Sequence, residues 1–137
     1  MNIENNNKEY HSGCHMVYSC QYHVIFCPKY RRGVLVGDIE KRLKELILEK
    51  QEEYGYTVIE QEIMPEHVHL LLDVFPAVGI FTIVNKIKGY TSRTLRKEFP
   101  ELTKKLPTMW SISKFISSVG SVSLETIKKY IENQKNV

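Results

Sequence analysis

Short runs of β-branched, aromatic and other apolar residues recur along the chain, and each run predicts a strand. Between the second and third runs, Pro65 and Glu66 predict a tight turn, so that these two strands form a hairpin. In the third run Val68, Leu70 and Leu72 occupy alternate positions, as expected for a strand with one buried face. The predicted strands cover residues 16–26, 57–64, 67–74 and 112–119.

Three other segments carry apolar residues at every third or fourth position, which is the spacing of an amphipathic helix. Asp38 is suited to cap the first helix, and Gly55 is suited to end it. Ser123 can cap the last helix in the same way. The predicted helices cover residues 39–54, 80–99 and 124–133, and irregular links are predicted at residues 28–37 and 101–110.

This order of elements, β-α-β-β-α-β followed by a last helix, indicates an α+β fold of the ferredoxin-like or RRM-like type. Such a fold has an antiparallel sheet with helices on one face, and the other face is available for a ligand. Residues 1–13 are polar and rich in Asn, and they predict a flexible tail. Residues 14–137 then form a single domain, as expected from a length of 137 residues.

The composition is that of an ordinary soluble globular protein, with 42% hydrophobic and 26% charged residues. No apolar run approaches the roughly 18 residues of a membrane span, and no apolar signal region follows Met1. The three cysteines lack a Cys-x-x-Cys spacing, which favours the reduced thiols of a cytoplasmic protein. His11, Cys14, His15 and Cys20 are close in sequence, but their spacing is not that of a closed zinc site.

Charge is distributed unevenly along the chain. Residues 1–73 hold 8 Lys and Arg against 12 Asp and Glu, whereas residues 74–137 hold 11 against 4. A basic half favours a polyanionic partner such as nucleic acid, although a solvated lysine-rich surface produces the same pattern. Tyr90 and Trp110 either stack on bases or pack inside the protein. The candidate contacts to such a nucleic acid, each of which could equally belong to a solvated surface, are Lys29, Arg31, Arg32, Lys86, Lys88, Arg93, Arg96 and Lys97.

His67 and His69 are two residues apart in the third predicted strand, so their side chains share one face at a separation of about 7 Å. Two imidazoles at this spacing can bind one metal ion, but a complete site needs a further ligand from elsewhere in the chain. Two histidines on a solvent-facing strand are more often ordinary polar residues, so both interpretations stay open. His23 is distant in sequence and is expected to be structural or to face DNA.

Tyr130 and Gln134 are four residues apart and therefore share one face of the last predicted helix. The side-chain carbonyl of Gln134 is an oxygen ligand of the kind that Mg²⁺ or Mn²⁺ accepts. The phenol of Tyr130 has an ordinary pKa near 10, but a nearby cation favours the phenolate, which is a nucleophile. A Tyr and a Gln near a C-terminus are more often surface residues, and their types alone do not decide between the two roles.

A series of short motifs follows one another in the order found in a known family. The chain resembles the TnpA-type single-strand DNA transposases of the smallest prokaryotic insertion sequences over about residues 15–134. These tyrosine transposases belong to the HUH superfamily, which is named for a His-hydrophobic-His pair such as His67-Val68-His69. The matching motifs are residues 22–26, 29–32, 64–71, 86–92, 110–111, 119–120 and 130–134.

The resemblance implies that His67 and His69 bind Mg²⁺ or Mn²⁺ and that Gln134 is the third protein ligand. It implies that Tyr130 is the catalytic nucleophile, which cleaves single-stranded DNA through a 5′-phosphotyrosine intermediate without a nucleotide cofactor. The family also implies recognition of DNA hairpins at insertion-sequence ends, a homodimer with composite active sites, and a cytoplasmic, DNA-associated protein. Gly120, just before the last helix, is then a candidate hinge.

Three alternatives to a transposase are considered. A domesticated relative would bind hairpin DNA without transposition, but such a binder has no need of His67, His69, Tyr130 and Gln134 together. An RNA-binding module of this fold would expose aromatic residues on its central strands, where this chain has the two histidines. A replication nickase is opposed by the small size of the chain and by the lack of a helicase segment.

Overall fold

The computed structural model describes residues 11–13, 16–18, 20–119 and 124–135. A single turn of 3-10 helix at Lys29–Arg31 follows the strand Gln21–Phe26. The strands and α-helices of these parts are β1 (His11–Gly13), β2 (Met16–Tyr18), β3 (Gln21–Phe26), α1 (Gly37–Glu49), α2 (Gln51–Tyr54), β4 (Tyr56–Met64), β5 (His67–Val74), α3 (Ile80–Glu98), α4 (Glu101–Lys105), β6 (Phe115–Ser118) and α5 (Leu124–Glu132).

Four strands form an antiparallel sheet in the order β4-β5-β3-β6. The hairpin predicted around Pro65 and Glu66 is present, and Met64 pairs with His67 at its end. Because β3 lies between β5 and β6, strands that are distant in sequence become neighbours. The α+β, ferredoxin-like fold that the element order indicated is confirmed.

The core lies between one face of this sheet and the helices. Val24 and Phe26 of β3 are fully buried. On β5 the fully buried Val68, Leu70 and Leu72 alternate with the half-buried His67, His69 and Leu71. Burial of one such side chain stabilises the fold by about 1.5–3 kcal/mol. The helices contribute the fully or nearly fully buried residues Leu43, Leu46, Ile47, Ile83, Val84, Ile87 and Leu95.

The first predicted strand, residues 16–26, is wrong in its extent. Met16–Tyr18 pairs with His11–Gly13 in a separate two-stranded hairpin, whereas only Gln21–Phe26 enters the main sheet. The segment predicted as a flexible tail, residues 1–13, therefore ends in a strand, and residues 1–10 lie outside the described part of the chain. Residues 16–18 and 21–26 both have the composition of a strand. Composition does not show that the first segment pairs with β1 and the second with the strands of the main sheet.

Two details of the first predicted helix differ from expectation. α1 begins at Gly37 after Val36, which makes no side-chain capping bond, so Asp38 is not the N-cap. Asp38 lies in the first turn instead, where a carboxylate still interacts favourably with the helix dipole. Lys50 interrupts the segment between α1 and α2, and Gly55 ends α2 in the left-handed conformation, with φ of 86°, as its position suggested.

The later part of the chain also departs from its predicted boundaries. The link at residues 101–110 contains the short helix α4, and the last strand is limited to Phe115–Ser118. Gly120 and Ser123, the candidate hinge and helix cap, lie outside the described residues. Within the parts that the structure describes, no helix combines the length and the hydropathy that crossing a membrane would require.

Candidate active site

Strand β5 places His67 and His69 on the face of the sheet opposite the core. Val68 and Leu70, which alternate with them, are fully buried, whereas both histidines are half-buried. The prediction that the two imidazoles share one strand face is therefore confirmed. A cleft of about 520 Å³ adjoins His69 on this side and is lined by Glu60, Gln61, Glu62, His69 and Leu71.

Glu66 fixes the orientation of His67. The Nδ1 atom of His67 lies 2.8 Å from Oε1 of Glu66, which belongs to the turn between β4 and β5. A carboxylate accepts a hydrogen bond from Nδ1–H, and this tautomer leaves Nε2 of His67 as the nitrogen with a lone pair. Metal-binding histidines are usually held in this way by a carboxylate on the other ring nitrogen. The sequence analysis did not identify Glu66 as a hydrogen-bond partner of His67, although the two residues are adjacent in sequence.

His23 lies beside His69, which the sequence analysis did not foresee. Ile25 of β3 pairs with His69, so His23 is a diagonal neighbour on the same face of the sheet. Nδ1 of His23 is 3.1 Å from Nε2 of His69, and the ring centroids are 5.3 Å apart. One of these nitrogens donates and the other accepts. His23 was expected to be structural or to face DNA; the register of β3 against β5 brings it to His69, which its distance in sequence did not indicate.

The surroundings of His69 favour its neutral form. Burial lowers the pKa of His69 below its ordinary value, and the neighbouring His23 lowers it further. Glu62, which pairs with His69 across β4 and β5, acts in the opposite direction. A neutral imidazole keeps the lone pair that a metal ligand or a hydrogen-bond acceptor needs.

Helix α5 carries Tyr130 into contact with the segment before β6. The ring of Tyr130 packs against Phe115 with centroids 5.3 Å apart, and its hydroxyl is 2.8 Å from Oγ of Ser113. Burial raises the pKa of Tyr130, while the hydrogen bond with Ser113 lowers it in part. The phenol is thus neutral in this structure and needs an acceptor for its proton before it acts as a nucleophile.

Gln134 lies one turn beyond Tyr130 and is buried, with 6% of its surface exposed. Its Oε1 atom accepts hydrogen bonds from Ser113 at 2.6 Å and from Ser111 at 3.5 Å. The structure therefore joins Gln134 to Tyr130 through Ser113. The recorded partners of its carbonyl oxygen are serines, so a direct approach to His67 and His69 stays a prediction. Within the described part of the chain, no three His, Cys, Asp or Glu side chains form a metal cluster.

The eight candidate DNA contacts fall into two groups. Arg31, Lys88 and Arg96 are half-buried, and each donates a hydrogen bond to a backbone carbonyl, of Ile131, Ser111 and Leu106 respectively. These three side chains therefore stabilise the fold through part of their donors, and their contact with DNA stays a prediction. Lys29 is also half-buried, with its ammonium 5.1 Å from the ring of Tyr30. The exposed candidates are Arg32, Lys86, Arg93 and Lys97.

Lys88 is a half-buried basic residue beside the core. Its ammonium donates to the carbonyl oxygens of Ser111 at 2.8 Å and Ser113 at 3.3 Å. Burial lowers the pKa of Lys88 to about 8, and Lys114 contributes to that decrease. The helical spacing held a signal for this position, because Lys88 follows the buried Val84 by four residues and so borders the apolar face of α3.

The structure places Trp110 and Tyr90, the two aromatic residues expected either to stack on bases or to pack inside the protein. Trp110 is 6% exposed, its ring meets Phe26 edge-on at 4.7 Å, and Nε1 donates to Oγ1 of Thr91, so it packs in the core. Tyr90 is half-buried, and the ammonium of Lys50 lies 4.4 Å from its ring centroid. Core packing at residue 110 also explains why this aromatic side chain is not available for base stacking.

Comparisons with known proteins agree with this geometry. Residues 16–134 match the family described as IS200-like transposases. The chain is 39% identical over 120 residues to the ISDra2 transposase TnpA of Deinococcus radiodurans, and the match covers 86% of each chain. It is 27% identical over 122 residues to the transposase of the insertion sequence element IS200 of Salmonella typhimurium, which covers 88% of this chain and 80% of the relative.

Solved structures lead to the same family. A crystal structure assigned as a transposase of Deinococcus radiodurans superposes with a TM-score of 0.84 at 33% identity, covering 93% of this chain and 99% of the other. A REP-associated tyrosine transposase bound to a REP hairpin has a TM-score of 0.55 at 11% identity over 95% of this chain and 69% of that one, which shows a shared fold. The family match runs through both histidines, Tyr130 and Gln134. The chain therefore belongs to the IS200-like transposase family.

Proposed function

We propose that this transposase is a metal-dependent enzyme that cleaves and rejoins single-stranded DNA at insertion-sequence ends through a 5′-phosphotyrosine. The observation that carries the proposal is the placement of Tyr130 on α5 and of Gln134 in the turn just after this helix, the two joined through Ser113. His67 and His69 lie on the face of the sheet opposite the core and are the proposed second half of the site. A structural tyrosine and glutamine would need neither this arrangement nor the histidine pair.

The proposed reaction replaces one phosphate ester bond by another at each step, so the energy of the phosphodiester bond is retained. The phenolate oxygen of Tyr130 attacks the phosphorus, a bond to the tyrosine forms, and the bond from phosphorus to the 3′-oxygen breaks. The phenolic proton leaves the tyrosine, and the departing 3′-oxygen gains a proton. A 3′-hydroxyl of another strand then attacks the phosphotyrosine, which restores Tyr130 and joins the strands. Because one ester bond replaces another at each step, no nucleotide cofactor is consumed.

The side chains of this site fit a divalent metal. His67 and His69 offer imidazole nitrogens and Gln134 offers an amide oxygen, a donor set that suits Mn²⁺ and is compatible with Mg²⁺. The hydrogen bond of Glu66 to Nδ1 of His67 is the kind of outer contact that orients such ligands. A bound cation would supply Lewis-acid polarisation of the scissile phosphate.

The exposed basic residues on the helical side are the proposed contacts to DNA backbone. Lys86 and Arg93 line a groove of about 400 Å³ on α3, together with Tyr54, Thr82, Asn85 and Gly89. Basic grooves with aromatic neighbours suit the phosphates and bases of DNA. Because the REP-associated relative was solved with a hairpin, a hairpin is the proposed ligand here. Replacing Lys86 or Arg93 by Ala should reduce the slope of log Kd against log salt concentration by about one for each substitution.

The proposed enzyme is a homodimer in which one chain supplies the histidines and the other supplies Tyr130. A mixture of His67→Ala and Tyr130→Phe chains tests this directly. In a composite site the mixture regains activity, and the DNA adduct forms on the His67→Ala chain, which a size tag identifies. If each chain completes its own site, the mixture stays inactive. Gly120 is the proposed hinge of such an exchange.

The central test is the formation of a covalent protein–DNA adduct on a denaturing gel. Labelled single strands from the DNA that flanks the gene are incubated with Mn²⁺, with Mg²⁺ or with chelator. Wild type should form an adduct only with metal, and Tyr130→Phe should form none. Tyr30→Phe, at a tyrosine with 42% exposure, is the matched control and should behave as wild type. Hairpin binding without any adduct would indicate a domesticated DNA-binding relative instead, and an adduct in Tyr130→Phe would exclude this nucleophile.

A further inference from the structure

We infer that Ser113 is a positioning residue that ties the hydroxyl of Tyr130 to the side-chain carbonyl of Gln134, so that the nucleophile and the proposed metal ligand are oriented together. This inference rests on the proposed function of Tyr130 and adds a residue to it. Ser113 lies between the core and α5, in the segment that leads into β6.

The direction of the two hydrogen bonds follows from the chemistry of the three groups. Oε1 of Gln134 only accepts, so the single proton of the Ser113 hydroxyl is directed to it at 2.6 Å. Tyr130 must then donate its own proton to Oγ of Ser113 at 2.8 Å. The chain of bonds therefore runs from Tyr130 through Ser113 to Gln134. A change at Gln134 alters the bond that Tyr130 makes, although the two side chains share no recorded bond.

Ser113 is itself held by the body of the protein. Its backbone N–H donates to Oγ of Ser111 at 3.2 Å, and Ser111 is buried, with 1% of its surface exposed. The ammonium of Lys88 on α3 donates to the carbonyl oxygens of both serines. Because α3 belongs to the core, the Ser113 hydroxyl is a fixed point against which α5 is oriented.

The packing of Tyr130 separates the role of Ser113 from a general structural role. The ring of Tyr130 keeps its contact with Phe115 when the Ser113 hydroxyl is removed, so α5 retains an apolar contact. Ile127 on the same helix is 5% exposed and anchors it independently. Loss of the hydroxyl should therefore change the orientation of the phenol more than the folding of the chain.

The kinetic experiment compares Ser113→Ala, Ser113→Thr and Ser92→Ala in single-turnover adduct formation with saturating single-stranded DNA. Ser92 is a half-buried serine of α3 and serves as the matched control. Ser113→Ala should lower the rate about 10- to 100-fold while the Kd for DNA and the Tm stay near the wild-type values. Ser113→Thr keeps the hydroxyl and should restore most of the rate. A wild-type rate in Ser113→Ala overturns the inference, as does a joint loss of rate, DNA affinity and Tm that Ser113→Thr does not rescue.

A second experiment uses NMR to detect the link between Tyr130 and Gln134, and it needs no enzymatic activity. Tyrosines are labelled with ¹³C at the ring carbon that carries the hydroxyl, and the Tyr130 signal is assigned by its loss in Tyr130→Phe. Gln134→Ala should shift this signal in the wild-type background and leave it unmoved in the Ser113→Ala background. Equal shifts in both backgrounds would show that Ser113 does not carry the link. If wild type forms no adduct, the proposed function fails, but this measurement still decides the inference.

Discussion

Arg31 and Ile131 are 100 residues apart in sequence, yet the guanidinium Nη1 of Arg31 donates a hydrogen bond to the carbonyl oxygen of Ile131 at 3.2 Å. Ile131 lies in the last turn of α5, and its carbonyl oxygen also accepts a hydrogen bond from the backbone N–H of Gln134 at 3.2 Å. A cation at this end also interacts favourably with the helix dipole. Arg31 therefore fastens the helix that carries Tyr130 to the turn after β3.

We predict that Arg31→Ala loosens α5 without unfolding the sheet. Loss of one half-buried charged hydrogen bond costs about 1–2 kcal/mol, and amide exchange in α5 should accelerate roughly tenfold. Arg32→Ala removes an exposed arginine from the next position and is the matched control. Hydrogen–deuterium exchange followed by peptide should show faster exchange of α5 in Arg31→Ala alone. Equal exchange in the two variants would mean that the contact with Ile131 does not hold the helix.

We predict that His23→Ala weakens metal binding. His23 contacts Nε2 of His69, and removal of such an outer partner typically lowers metal affinity about 10- to 100-fold. Titration with Mn²⁺, followed by the paramagnetic signal of the free ion, measures the affinity without reference to activity. Gln21→Ala, two residues away on the same strand face, should retain wild-type affinity. An unchanged affinity in His23→Ala would indicate that the contact has no part in holding the ion.

We predict that the contribution of Lys88 to stability increases with pH. Burial lowers the pKa of Lys88 to about 8 in the folded chain, from an ordinary value of 10.5. Below about pH 8 the amine is protonated in both states, and between about pH 8 and pH 10.5 only the unfolded chain keeps the proton. Stability therefore rises with pH across this window. Denaturant unfolding of wild type and Lys88→Met should show a difference that grows in favour of wild type from about pH 7.5 to pH 10.

The matched control for Lys88 is the exposed Lys86, two residues earlier on α3. Lys86→Met should weaken DNA binding more than it weakens folding. If the stability difference from wild type changed with pH in the same way in both variants, burial would not lower the pKa of Lys88 in particular. A loss of DNA affinity in Lys88→Met at unchanged stability would also do so, because it would make Lys88 a surface contact.

We predict that Trp110→Phe lowers stability and leaves DNA affinity unchanged. The substitution removes the hydrogen bond from Nε1 to Thr91 and part of the edge-on contact with Phe26, at a cost of about 1–3 kcal/mol. Circular dichroism must follow the unfolding, because Trp110 is the single tryptophan of the chain. Reduced DNA affinity at wild-type stability would show that the ring stacks on bases instead.

Local patterns predicted the elements and the shared face of His67 and His69, because the repeat of a strand or helix is set by backbone geometry. The same repeat placed Tyr130 and Gln134 one turn apart. Residue type alone did not distinguish the exposed Lys86 from the half-buried Lys88, since both are lysines and burial depends on which face of the helix packs against the core. It also did not separate β2 from β3, because both segments have the composition of a strand.

What the sequence by itself determined is the order of the elements and the family motifs, since both are properties of neighbouring residues. Only the tertiary structure decided which elements meet. The register of β3 against β5 brings His23 to His69, and the path of the chain before β6 brings Ser113 between Tyr130 and Gln134. These contacts join residues 17 to 46 positions apart. Contacts over such separations depend on strand order and packing, which no local spacing specifies.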